Sequence, residues 1–358
     1  MPDPADSQRR PLQKRRLGAV ISLLLACGFT GALFWYLART TTLADWVGLY
    51  RGLAWSFFAA YLVLFWGSMA LKALRYRVLL AASGEKVRYW HLVVLTFVSN
   101  LFVDLLPARS GSLAYIVFLN RKLAVGLPAA FSSFAFSFIF DLIGMLPLFG
   151  LAIVLHQAAA GGEGVLWVLL GVLGVIAVLA LLLLERVLAV AAVLSAWLTA
   201  RLRGRTQNLA GRLAREVEAM RLDVARVKSQ GVFWRVLLIS VAIRALKYLG
   251  LYVLVAGLAA QWPAEAARLG FSLVLFALVA AEATASLPIS GIAGFGAYEG
   301  VMMATLRAAG LAATQAALIP FGLHLLTQVV DYTLGGLALV ILSLTARPER
   351  KDDAPPAS

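Results

Sequence analysis

Leu71-Lys72-Ala73-Leu74-Arg75-Tyr76 and Ile243-Arg244-Ala245-Leu246-Lys247-Tyr248 share one pattern: an apolar residue, a base, Ala-Leu, a second base and a tyrosine. Two further matches follow in the same order. Leu106-Pro107-Ala108-Arg109-Ser110-Gly111 is echoed by Leu287-Pro288-Ile289-Ser290-Gly291, and Asp141 with Gly144 after it by Asp331 with Gly335 after it. Each match alone is short, but three in one order indicate an internal duplication. Duplicated bundles with broken helices are a common plan for membrane carriers.

Composition sets the class. Of 358 residues, 61% are apolar and only 14% are charged, more apolar surface than a soluble domain of this length needs. Runs of about 20 apolar residues read as membrane spans, and they occur at 17–38, 53–74, 128–155, 165–184, 232–258 and 313–344. Two further apolar stretches, 92–106 and 270–287, each end in Leu-Pro and a Gly- or Ser-rich turn. The expectation is an all-α polytopic membrane protein with about six full transmembrane helices and two re-entrant helical hairpins. Residues 1–16 and 346–358 read as polar, disordered tails around a transmembrane domain at 17–345, with a cytoplasmic amphipathic insertion at 185–231.

The net charge of +14 does not point to nucleic acid, because the bases follow the positive-inside rule. Arg9, Arg10, Lys14, Arg15 and Arg16 precede the first span, and Arg347, Arg350 and Lys351 close the chain. Both termini are therefore placed in the cytoplasm, and the protein in a bacterial cytoplasmic membrane. Lys72, Arg75, Arg77, Lys86 and Arg88 follow the second span, and Arg109, Arg121 and Lys122 follow 92–106 on the same side. That stretch must dip in and return. Keeping the C-terminus inside makes 270–309 a second hairpin, entering from outside. The two sets then have opposite orientations, which is an inverted repeat. The spacing is unequal, since Lys72 to Pro107 is shorter than Arg244 to Pro288.

The lone Cys27 excludes a disulfide within the chain. Leu24-Leu25-Ala26-Cys27-Gly28 resembles a lipoprotein cleavage box, but the apolar run continues to Ala38 and reads as an uncleaved anchor. Within 198–230, Leu209, Leu213, Val217, Met220, Val224 and Val227 recur at spacings of three and four, with arginines between them. This is a helix with one apolar stripe. It reads either as lying on the anionic leaflet or as a docking site for a lipid-modifying enzyme at the cytoplasmic face.

Ionisable groups at membrane depth are expensive and mark functional positions. Asp104, Asp141, Arg244, Lys247, Glu282, Glu299, His324 and Asp331 all fall in apolar stretches. Arg244 and Lys247 lie too deep to snorkel easily. They read as an ion pair with an acid such as Glu282 or Asp331, or as a cationic pocket for a lipid phosphate. In the hairpins, proline removes a donor and the glycines permit tight turns. A helix broken there exposes N–H groups suited to an anion, Ser110, Ser112, Ser286 and Ser290 add hydroxyl donors, and Arg109 reads as a further headgroup-binding residue. Gly294 and Gly296 read as close-approach positions, and Glu299 as a cap or as a partner of Arg244 or Lys247. Asp141 and Asp331 read as structural partners of the hairpins or as proton-coupling groups, and His324 as a relay candidate. No catalytic, nucleotide-binding or metal-ligand motif occurs, so no enzyme activity and no cofactor is expected.

At these residues the chain resembles the lysylphosphatidylglycerol synthase transmembrane-domain family, also described as flippase-like membrane proteins. Asn100, the Leu-Pro-x-Arg-x-Gly at 106–111, Asp141, Leu287-Pro288 and Gly294-x-Gly296-x-x-Glu299 carry the resemblance. It covers roughly 15–345. No aminoacyl transferase domain follows in this sequence, so the resemblance implies lipid handling without the synthase activity. Ser112, Tyr115 and His324 depart from the family pattern. The resulting expectation is a translocase whose partners are membrane lipids, either anionic or modified. A small-solute secondary transporter, a scaffold subunit and an intramembrane transferase are the alternatives.

Overall fold

The computed structural model describes residues 28, 30–105, 111, 113–160, 165–201, 205–285 and 295–345. Among them every regular element is helical. They are α1 (30–40), α2 (Leu43–Arg51), α3 (Trp55–Ala82), α4 (Tyr89–Leu105), α5 (Ala114–Leu123), α6 (Leu127–Ala160) and α7 (Val165–Arg201). Then come α8 (Arg205–Ser229), α9 (Phe233–Ala259), α10 (Pro263–Ala266), α11 (Phe271–Ala285), α12 (Ala297–Ala308) and α13 (Ala313–Thr345). Helices dominate because the backbone of an apolar segment must satisfy its own hydrogen bonds in a bilayer.

Five of these helices contain a stretch long and apolar enough to cross a membrane: Trp55–Ala82, Leu127–Ala152, Leu182–Arg201, Phe233–Ala259 and Ala313–Thr345. The expected span at 17–38 lies mostly outside the described residues. The expected span at 165–184 is part of α7, which runs unbroken through the expected boundary at 185 to Arg201. Its apolar composition carries on with no glycine or proline to stop it there. The two shorter apolar helices, Tyr89–Val103 and Phe271–Glu282, stand where the hairpins were expected. In chain order the next described helix after each is again short, α5 after α4 and α12 after α11. Phe102 on α4 meets Phe118 on α5, with ring centroids 5.6 Å apart. The order long, short, short, long thus occurs twice, as α3–α4–α5–α6 and as α9–α11–α12–α13.

Contacts divide the chain into two compact units. One gathers residues up to 58, 103–110 and 252–328. Its core joins Leu33 and Leu37 of α1 to Ala317 and Phe321 of α13. Thr42 caps α2: Asp45 N–H donates to its hydroxyl, and Thr42 N–H and Oγ1 donate back to the Asp45 carboxylate at 2.7 Å. These bonds hold the Asp45 carboxyl below its usual range. Gln261 Nε2 donates to the Leu49 and Leu258 carbonyls, tying the end of α9 to the end of α2.

The other unit gathers 59–102, 111–251 and 329–358. Here α3 and α9 pair in opposite directions. Gly250 lies against Tyr61 and Leu64, Gly67 against Leu246, and Arg75 against Ser240. By contrast α6 runs alongside α9 in the same sense, with Phe140 against Phe233 and Gly144 against Ser240. The stripe on α8 is covered by protein over its second half: Val224 and Val227 enter a core with Leu79, Phe136, Phe140, Leu188 and Val236. Leu213, earlier on the same stripe, is 56% exposed. Only that first half matches the expectation of a helix lying free on a surface. Buried Asp223 anchors the covered half, accepting from Ser83 Oγ at 2.8 Å and from Ser132 Oγ.

Candidate functional site

Helical geometry puts residues three apart on one face, so Lys72 and Arg75 share a face of α3, and Arg244 and Lys247 a face of α9. Lys72 lies ten residues before the end of α3 and Arg244 eleven residues after the start of α9. At 1.5 Å per residue each lies about 15 Å along its helix from that end, a distance near half the thickness of a hydrocarbon core. Lys72, Arg75 and Arg244 converge on Asp141 of α6, and Lys247 lies within electrostatic range of Lys72. Arg75 is fully buried and grips the carboxylate with both terminal nitrogens, at 2.7 and 3.1 Å. It also donates to Ser240 Oγ at 2.9 Å. This two-pronged contact is the geometry that suits guanidinium and carboxylate best. Arg244 Nε stands 3.6 Å from the same carboxylate, an ion-pair distance beyond hydrogen bonding. Lys72 lies within electrostatic range of Asp141, Arg75, Arg244 and Lys247. Each second base also faces the tyrosine that follows it in the repeated motif: Arg75 over Tyr76 at 5.8 Å and Lys247 over Tyr248 at 5.7 Å. Tyr76 stacks on Tyr115 at 4.0 Å, so the departure at Tyr115 is part of this wall.

Asp141 and Gly144 work as a pair. Three residues apart, they face α9 together. A side chain at Gly144 would come within 3.1 Å of the Ser240 backbone, so its absence lets the helices approach and brings the Asp141 carboxylate to the bases. The second copy uses the same device elsewhere. A side chain at Gly335 would strike Leu101 Cβ at 2.5 Å, and Asp331 accepts from Asn100 Nδ2 at 2.7 Å. Asp141 is thus a carboxylate beside Arg244 that the sequence reading does not name for it.

The other unit holds a second buried polar group. Gly296 begins α12 with φ 151°, a conformation open to glycine alone. Its N–H donates to Glu299 Oε2 at 2.7 Å, and Glu299 is fully buried. The other carboxylate oxygen meets His324 Nδ1 of α13. Phe295 stacks on the His324 ring at 4.4 Å. Glu299 therefore caps as expected, but its ionisable partner is His324 rather than Arg244 or Lys247. Buried Glu282 on α11 lies in the electrostatic neighbourhood of Tyr298.

Of the expected site residues, Arg109, Ser110, Ser290 and Gly294 lie outside the described residues. Asp141, Arg244 and Lys247 come together, Gly296 and Glu299 form the second group, and Asp331 pairs with Asn100. Lys72 and Arg75 enter the sequence reading through the repeated motif and the charge pattern and not as site residues. Their equivalence to Arg244 and Lys247 in that motif is the signal that assigns them to the site.

Comparison with known proteins gives one match, a family model described as the lysylphosphatidylglycerol synthase TM region, over residues 19–335. No curated protein and no solved structure matches the chain. The match spans most of the sequence, including both copies of the repeated motifs and every element from α1 to the middle of α13. The chain therefore belongs to the lysylphosphatidylglycerol synthase transmembrane-region family, and is a multi-pass membrane protein with a lipid-related function.

Proposed function

We propose that the protein translocates an anionic lipid across the cytoplasmic membrane, with the Lys72, Arg75, Arg244 and Lys247 cluster receiving the headgroup. The observation that carries this reading is the gathering of bases from both copies of the motif around one carboxylate, well inside two apolar helices. Bases at that depth are costly unless they serve an ion or a substrate. Asp141 satisfies Arg75 first, by the two-pronged contact, while Arg244 stands back at 3.6 Å. A lipid phosphate arriving there would compete with Asp141 for these bases. The Asp141 side chain is 25% exposed, which leaves the group reachable.

The antiparallel pairing of α3 and α9 supports an inverted repeat, because these helices carry the matched motifs. On this reading α4 with α5 and α11 with α12 form the two re-entrant hairpins of the repeat. Repeats of this kind place the substrate near the midplane and move it by rocking one half against the other.

The test is translocation of a fluorescent phosphatidylglycerol in vesicles containing the purified protein, read by quenching from one side. Arg244→Met and Lys72→Met should slow it by about tenfold or more for each base removed. Arg350→Ala in the tail should leave the rate unchanged. Folded Lys72→Met/Arg244→Met protein that translocates at the wild-type rate would remove the cluster from the mechanism. A wild-type protein that moves no lipid would favour the scaffold reading.

A further inference from the structure

We infer a second anionic-lipid site, on a different face of α3 from the cluster. Leu74, Arg77 and Val78 recur at spacings of three and one along α3. At about 100° per residue Arg77 stands about 160° around the helix from buried Arg75 and Leu74 about 100°, with Val78 completing the wall about 60° away. Together with Gln230, Val232 and Arg235 at the start of α9 they line an open groove of about 370 Å³. Both arginines are exposed and both belong to the same compact unit. The motif that duplicates Arg75 as Lys247 does not duplicate Arg77, whose counterpart is Leu249. The groove is therefore a feature of one end of the bundle and not of the repeat.

Charge and position identify the occupant as a phospholipid with an anionic headgroup. The groove lies where one apolar helix ends and another begins. Trp234, beside Arg235, is 70% exposed, and exposed Trp90 follows the same turn region. Aromatic residues of this kind mark a headgroup boundary. Leu74, Val78 and Val232 offer an apolar wall for the glycerol backbone and the first acyl carbons. Arg77 and Arg235 offer planar guanidinium forks for the phosphodiester, and basic pockets between membrane helices take such headgroups. A zwitterionic lipid brings an amine that two arginines repel. Because Arg77 stands on the far side of α3 from Arg75, a lipid held by it is a bound companion of the protein and not the molecule in transit. The inference stands on the membrane location alone and does not require that the central cluster move lipid.

Native mass spectrometry of the detergent-solubilised full chain tests it, with phosphatidylglycerol and phosphatidylcholine of matched acyl chains titrated separately. A Lys72→Met/Arg244→Met background isolates the groove from the cluster. In that background one phosphatidylglycerol should be retained about tenfold more tightly than phosphatidylcholine. Adding Arg77→Gln and Arg235→Gln should erase the preference. Val78→Trp, which fills the groove and leaves both charges, should lower retention of phosphatidylglycerol as well. An unchanged preference in the folded Arg77→Gln/Arg235→Gln protein overturns the site, as does equal retention of the two lipids by the background protein. Lost translocation with this lipid still retained speaks only to the central cluster.

Discussion

Arg75 shows at the scale of one residue how a costly charge is held in an apolar helix. It has no exposed surface, and Asp141 and Ser240 both accept from it. Breaking a buried pair from one side costs about 3–5 kcal/mol, because the remaining charge stays buried. Asp141→Leu should therefore sharply lower the midpoint of thermal unfolding in detergent. Asp141→Leu/Arg75→Leu should recover part of that loss, since the stranded guanidinium is gone. A double variant no more stable than the single would mean that Arg75 draws its stability from elsewhere. Glu299 makes a parallel case in the other unit. Glu299→Gln keeps an acceptor for Gly296 N–H and loses the charge facing His324, whereas Glu299→Ala loses both. The alanine variant should be the less stable by about 1–3 kcal/mol. Equal stability of the two would separate Glu299 from the capping role.

At the scale of elements, glycines and a buried stripe decide which helices meet. On α13 a side chain at Gly335 would strike Leu101 Cβ at 2.5 Å and the Phe97 carbonyl at 3.0 Å, while one at Gly336 would meet nothing. Neither obstacle is a flexible side-chain end, so Gly335→Ala should cost about 1–3 kcal/mol by overpacking. Gly336→Ala should be neutral or stabilising by up to ~1 kcal/mol, through helix propensity. The two melting temperatures side by side check this, and a larger loss at Gly336 would refute the close crossing of α13 and α4. On α8, Val224 is fully buried and Leu213 largely exposed. Val224→Asp should release the helix to protease, because a carboxylate cannot be buried there unpaired. Leu213→Asp should leave cleavage near the wild-type rate. The periodicity of α8 was legible in the sequence. What covers it was not, because leucines and valines every third or fourth residue look the same under lipid and under protein. The same ambiguity explains α7, where apolar residues continue on both sides of Glu185 and Arg186 and no glycine or proline ends the helix there.

For the whole molecule, the duplicated motif was legible because bases are so rare in apolar helices that Lys72, Arg75, Arg244 and Lys247 stand out. Their meeting at Asp141 was not legible. Which acid they face depends on the rotation of α6 about its axis and on the missing side chain at Gly144, and neither is written in spacing. The direction of the helices gives the last prediction. Ser83 O accepts from Arg226 Nη1, so the end of α3 lies beside the end of α8, shortly before α9 begins. Gln261 bonds the Leu49 carbonyl, so the start of α3 and the end of α9 meet at the other extremity. If both helices cross the bilayer, the turns after α3 and before α9 share one side, and those before α3 and after α9 share the other. With Cys27 replaced by serine, Lys86→Cys and Gln230→Cys should react with a membrane-impermeant maleimide only from the cytoplasm. Ala264→Cys and Ala312→Cys should react only from outside, since Arg268 ties Gly310 to the α10 segment at 2.7 Å. Labelling of Lys86 and Ala264 from the same face would mean that α3 and α9 do not both cross, and the inverted pairing of the two motifs would have to be abandoned.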